Sequence, residues 1–268
     1  MPTTEHAGAT LHFRVDDLTP PWVQDPETIF FHHGVGTHGG IWSEWVPVLA
    51  GEYRVVRLDV RGYGGSSVPG PDFEWTMMTL VADALTVADT LGAKRFHLVG
   101  ESLGGTAAYC TAINHPDRLL SITALCAGHR GGDIRHVDQW RTDMAANGMQ
   151  AWSDQMMDHR FMAGAISEDR WNWFHEVQTA SAPASALGLG EMLMKQRITD
   201  QLAAIKVPTL ILHPDSSPFL PVNVPNEAHA QISESELHIF DNSKHGIAFS
   251  HAKEGAALLR DFLQRRCR

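Results

Sequence analysis

Cysteine is scarce in this sequence, with three residues, Cys110, Cys126 and Cys267, among 268. So few, so scattered, exclude a disulfide framework and a thiolate zinc site, and they point to a reducing compartment. Basic residues are also in deficit, 21 Lys and Arg against 31 Asp and Glu, for a formal net charge of -10. Phosphate backbones are held by Lys and Arg, so this balance speaks against a nucleic-acid partner and is read as a solubility charge. No apolar run approaches the roughly 18 residues that a bilayer crossing needs. Met1 to Thr10 has neither a basic start nor an apolar targeting core. The expectation is a cytoplasmic protein, monomer or homodimer, that acts on a small molecule and involves no membrane.

What is present is ordinary globular composition, 43% hydrophobic and 19% charged, in a chain long enough to bury one large core. Short apolar, β-branched runs at Leu11 to Val15, Thr28 to Phe31, Tyr53 to Leu58, Arg95 to Val99, Ser121 to Cys126, Thr209 to Leu212 and Leu237 to Phe240 are separated by helix-length segments. That alternation predicts an α/β fold with a mostly parallel sheet wrapped by helices. The rhythm breaks between Gly128 and Gln201, a stretch rich in Trp, Met, His and Ala without a convincing strand. It is read as an inserted helical cap at 128–201, which divides a core of 1–127 and 202–268. Within it Val137 to Ala146, Gly148 to Asp158 and Asp169 to Thr179 are expected to be helical, and Ser181 to Gly190 a Pro- and Gly-punctuated connection.

The strand Phe96-His97-Leu98-Val99 runs directly into Gly100-Glu101-Ser102-Leu103-Gly104-Gly105 and then into a helical stretch. A serine on so sharp a strand-to-helix turn needs a strained backbone, and glycines two residues before and after it relieve the crowding. Its hydroxyl stands at a helix N-terminus, where amides favour developing negative charge. Ser102 is therefore the candidate nucleophile. A serine hydroxyl needs a base, and His245 follows the last strand through the loop Asp241-Asn242-Ser243-Lys244. An acyl-transfer oxyanion needs two backbone donors, for which the amides of Leu103 and of Val35, in the turn His33-Gly34-Val35-Gly36, are the candidates.

His33-Gly34, the run Asp59-Val60-Arg61-Gly62-Tyr63-Gly64-Gly65-Ser66, the elbow at Ser102 and the terminal His245 fall in the order of the α/β-hydrolase superfamily, which the chain resembles over nearly its whole length. It is most similar in length and cap size to the esterase, lactonase and C–C hydrolase members, including enol-lactonases of aromatic degradation. The resemblance implies an eight-stranded sheet, no metal or other cofactor, and a Ser-His-acid triad that transfers an acyl group to water. An aspartate nucleophile would have implied dehalogenases or epoxide hydrolases. Esters or lactones are the expected substrates. A C–C hydrolase, a lyase or cofactor-free perhydrolase on the same scaffold, and a non-catalytic binding homologue are the alternatives.

The triad acid departs from this pattern. In relatives it lies after the strand matching Thr209 to Leu212, just before a proline matching Pro218, and that slot holds Ser217; a second location holds Cys126. The carboxylate of the first loop is Asp215, the candidate acid, while a turn role for Asp215, orientation of His245 by Asp241, and a Ser-His dyad helped by water stay open. Asp59 and Arg61 are read as loop braces. His32, His33 and His38 lack a carboxylate or thiolate at ligand spacing, so they are not read as a metal site. The expected substrate pocket comprises His33, His38, Trp42, His129, Arg130 and Trp152.

Overall fold

The computed structural model describes residues 2–267. Eight strands, β1 (Thr3–His6), β2 (Ala9–Asp16), β3 (Thr28–His32), β4 (Arg54–Leu58), β5 (Phe96–Glu101), β6 (Leu119–Leu125), β7 (Thr209–Pro214) and β8 (Ser235–Phe240), form one sheet in the order β1-β2-β4-β3-β5-β6-β7-β8. β1 and β2 are antiparallel to their neighbours, and every pair from β4 to β8 is parallel. Seven of these strands coincide with the apolar runs. The eighth, β1, is a short edge strand whose residues alternate between exposed and half-buried, so it carries no apolar signal.

Helices α1 (Val46–Leu49), α2 (Met77–Thr90), α3 (Leu103–Asn114), α4 (Trp140–Arg160), α5 (Glu168–Thr179), α6 (Pro183–Met194), α7 (Asn223–Gln231), α8 (Ile247–Ser250) and α9 (Ala252–Arg266) complete the main elements. Both faces of the parallel sheet are covered, which is why β3 is buried at all five positions rather than at every second one. Successive residues feed opposite cores. Phe30 packs with Val56, Leu98 and the α2 residues Leu80 and Val81, whereas Phe31 packs with Trp42, Trp45, Val99 and the α9 residues Leu259 and Phe262.

Between β6 and β7 the chain makes α4, α5 and α6. α4 is broken at Gly148 (φ 75°, ψ 179°), so it is two helices meeting at a glycine kink, as expected from the sequence. The connection expected at Ser181 to Gly190 is instead mostly helix α6. Pro183 sits in its first turn, where no backbone donor is needed. Its glycines are contact points: a Cβ on Gly188 would come within 2.2 Å of the Trp75 ring, and one on Gly190 within 2.9 Å of Val137. Among the described residues no helix is long and apolar enough to cross a membrane.

Candidate active site

β5 delivers the chain to Ser102, whose backbone lies at φ 54°, ψ -112°, and α3 begins at the next residue. A non-glycine residue in that region is held there by its surroundings at a cost of about 1–3 kcal/mol. The surroundings are close-packed backbone. A Cβ on Gly100 would lie 2.0 Å from the Gly104 carbonyl oxygen, and one on Gly104 2.2 Å from that of His32. The turn after β3 approaches as tightly, since a Cβ on Gly34 would stand 2.9 Å from the Ser102 Cβ. The sequence expectation that glycine flanks the serine for steric reasons thus has specific partners, and the turn carrying Val35 lies against the elbow.

His245 follows β8 and is buried. Its Nδ1 faces Ser217 Oγ at 3.2 Å, its ring meets Phe219 edge-on at 4.8 Å, and its carbonyl accepts from Cys126 Sγ at 3.2 Å. Burial first, then the nearby Arg160, His213 and His159, hold its pKa well below the usual histidine value. A neutral imidazole is thereby the resting form.

Asp215 does not take the place expected of a triad acid. Its two oxygens accept from the amides of Asn242 (2.7 Å) and Ser243 (3.1 Å), and these bonds depress its pKa. Asn242 has φ 49°, so the carboxylate fixes a left-handed turn in the loop that leads to His245. Asp241 is exposed on the same turn. Ser217 Oγ, which also accepts from the Leu220 amide, occupies the place beside the ring.

Ser102 and His245 border one cavity of about 30 Å³, walled by Val35, Trp140, Met156, Arg160, Leu193 and Phe219 among others. By the same measure a single water occupies roughly 10–15 Å³, so the space is narrow. Arg160, at the end of α4, is buried there. It donates from Nε to Gln178 Oε1 (3.0 Å), from Nη2 to the Val35 carbonyl (2.7 Å) and from Nη1 to Glu101 Oε1 (3.4 Å). Glu101 is buried beside the serine, its Oε1 lies 4.0 Å from His245 Nε2, and its Oε2 lies against Gly34. Burial raises its pKa, and Arg160 and a backbone hydrogen bond from Gly34 oppose the rise.

The six residues expected to line the pocket do not border this cavity. His33 is a brace: Nε2 accepts from the Val60 amide (2.8 Å), so Nδ1 carries the proton and donates to the Gly34 carbonyl, and burial pushes its pKa to about 3. His38 caps the short turn at Gly39–Trp42 and packs against Trp173. Trp42 is core, against Phe31 and Trp45. His129 is buried between Thr199 and the Val224 carbonyl, and Arg130 pairs with Asp133 and Glu227. Trp152 packs its ring against Gly36, where a Cβ would lie 2.9 Å away, and so stiffens the turn behind Val35. The residues missed by sequence reasoning are Arg160, Gln178 and Glu101 as a group, which three distant segments bring together without any spacing signal.

Residues 27–252 match the family model described as alpha/beta hydrolase fold. A fluoroacetate dehalogenase from Burkholderia sp is 42% identical over 159 residues, which is 58% of this chain and 44% of that protein, so the chain spans less than half of that relative's length. A 2-hydroxymuconate semialdehyde hydrolase from Pseudomonas sp. is 28% identical over 249 residues, covering 86% of this chain and 84% of that one. The 3-oxoadipate enol-lactonase 1 of Acinetobacter baylyi is 25% identical over 245 residues, with 90% and 88% covered. Among solved structures, the enol-lactonase from Burkholderia xenovorans superimposes with a TM-score of 0.88 at 23% identity, over 98% of this chain and 100% of that one.

Proposed function

Since the chain belongs to the α/β-hydrolase family, we propose that it is a serine hydrolase cleaving a small carboxylic ester or lactone through an acyl-enzyme on Ser102. The observation that carries the reading is the left-handed Ser102 backbone between β5 and α3, facing the same cavity as a buried, depressed-pKa His245. With Nδ1–H directed at Ser217 Oγ, the Nε2 lone pair is left to take the Ser102 proton. Oγ attacks the carbonyl carbon, the oxyanion is met by the amides of Val35 and Leu103, and the protonated imidazole gives its proton to the leaving oxygen. Water then attacks the acyl-enzyme with His245 again as base. The segment 128–201 serves as the cap, contributing Trp140, Met156 and Arg160 to the wall.

The dehalogenase likeness raises a second reaction, displacement of halide at a saturated carbon. A carboxylate nucleophile yields an ester that water can open. A serine alkoxide would yield an alkyl ether, which acyl chemistry cannot release, so Ser102 favours the ester or lactone. Exposure to a fluorophosphonate tests this reading. Label on Ser102, lost in Ser102→Ala and accompanied by hydrolysis of p-nitrophenyl acetate but no fluoride release from fluoroacetate, is the expected result. An unlabelled wild-type chain would end the reading.

A further inference from the structure

We propose that Glu101 supplies the counter-charge for His245 as the ring takes a proton, acting at the Nε2 edge instead of through a carboxylate at Nδ1. This rests on the Ser102–His245 reading above. Proton transfer from Ser102 Oγ to Nε2 creates a cation in a buried site, and a neutral hydroxyl at Nδ1 does little to stabilise it. Asp215 has both oxygens engaged by the Asn242 and Ser243 amides. Cys126, which touches the His245 carbonyl, is a buried thiol whose pKa is raised far above the usual value. The other charged or titratable groups that bear on the ring are Arg160, His213 and His159, and all three oppose protonation. Glu101, 4.0 Å from Nε2, has the opposite sign.

The Glu101 pairing with Arg160 also differs from a purely structural ion pair. Elsewhere in the molecule Arg61 grips Asp83 through two bonds of 2.9 and 2.6 Å, whereas Arg160 reaches Glu101 through one contact of 3.4 Å. Gly34 leaves room for Glu101 Oε2: a Cβ there would stand 2.2 Å from that oxygen. At 4.0 Å from Nε2, and held to Arg160 by one long contact, the ionised carboxylate is placed to serve the ring. It takes no proton in the step; the Oγ–H bond breaks, the Nε2–H bond forms, and Glu101 lowers the energy of the resulting ion.

The test follows the rate of fluorophosphonate inactivation against pH, separating the maximal rate kinact from the binding constant KI. Glu101→Gln should lower kinact by at least about tenfold with KI little changed. It should also shift the acid limb of the profile downward by about one pH unit, because a carboxylate within about 4–6 Å raises a histidine pKa by about 1–3 units. Placing a carboxylate at Nδ1 by adding Ser217→Asp should restore kinact to within about threefold of the wild type, as expected for two charges serving one ring. Should the Gln variant fail to fold, Glu101→Asp keeps a charge near Arg160 while withdrawing it from the ring, and should move the limb the same way by less. Normal wild-type labelling with an unmoved limb in either variant, or no rescue by Ser217→Asp, overturns the role of Glu101 alone. A wild-type chain that takes no label overturns it together with the Ser102 reading.

Discussion

Two buried polar clusters lie near the carboxyl ends of the parallel strands, and they are built on opposite rules. Around Asp59 every charge is met. Its oxygens take the Gly39 and Gly65 amides at 2.8 and 2.9 Å and His12 Nδ1 at 2.7 Å, while Arg61 and Asp83 bind bidentately and share His6. Around Ser102, His32 Nε2 has no hydrogen-bond partner, and Arg160 holds the Glu101 carboxylate only loosely. A buried polar group left unmet costs about 1–3 kcal/mol. The first cluster spends its polar groups on holding loops, the second keeps them available for reaction. The run Asp59 to Ser66 and the elbow are equally prominent in the sequence; what separates brace from reactive site is how fully the charges are satisfied.

Acid should destabilise the fold through its buried histidines, which lie in both clusters. Burial lowers the pKa values of His32 and His213 to about 4 and of His33 to about 3. The unfolded chain, with ordinary histidines, binds more protons, so stability falls as pH drops from about 6.5 toward 4. The slope is at most about 1.4 kcal/mol per pH unit for each histidine. Asp59, with its pKa depressed by its hydrogen bonds, stays ionised through that window. Thermal unfolding between pH 7 and 4.5 should show the loss, and substituting the exposed Asp241 should leave it intact.

Asp83→Asn, which strands the buried Arg61, should destabilise the fold by about 3–5 kcal/mol in denaturant titration and leave the labelling rate of the folded fraction near wild type. Arg160→Met, which strands the buried Glu101 and frees the Val35 carbonyl, should cost a similar amount, about 3–5 kcal/mol, and unlike Asp83→Asn it should slow Ser102 labelling of the folded fraction. The smallest effect belongs to Asp215→Asn. Asparagine keeps an acceptor for one of the two amide bonds, so the loss is about 0.5–1.5 kcal/mol, and labelling should continue with its pH profile unmoved. A collapse of activity there would return Asp215 to the catalytic set.

Much of this was legible in the chain itself. The strands announced themselves because burial on both faces leaves unbroken apolar runs, and Ser102 and His245 because their place between strand and helix is a local property. Asp215 and Ser217 were harder. They are two residues apart in one loop, and which of them meets His245 is decided by the turn at Asn242, which claims the carboxylate from another segment. Helix α6 was hidden by Pro183 and two glycines, whose acceptability depends on Trp75 and Val137. Arg160, Gln178 and Glu101 meet only in three dimensions.

The backbone angle at Ser102 sets what evolution can do with this position. Glycine would adopt φ 54° without the penalty that serine bears, so Ser102→Gly should raise the melting temperature as it silences the site. A library sorted for expression or heat tolerance alone would drift toward glycine at 102, whereas one sorted for turnover would hold serine against that gradient. Gly100 and Gly104, closed by neighbouring carbonyls, would stay fixed in both libraries. The pattern of tolerated residues across these three positions would therefore tell whether a lineage is still selected for activity or only for folding.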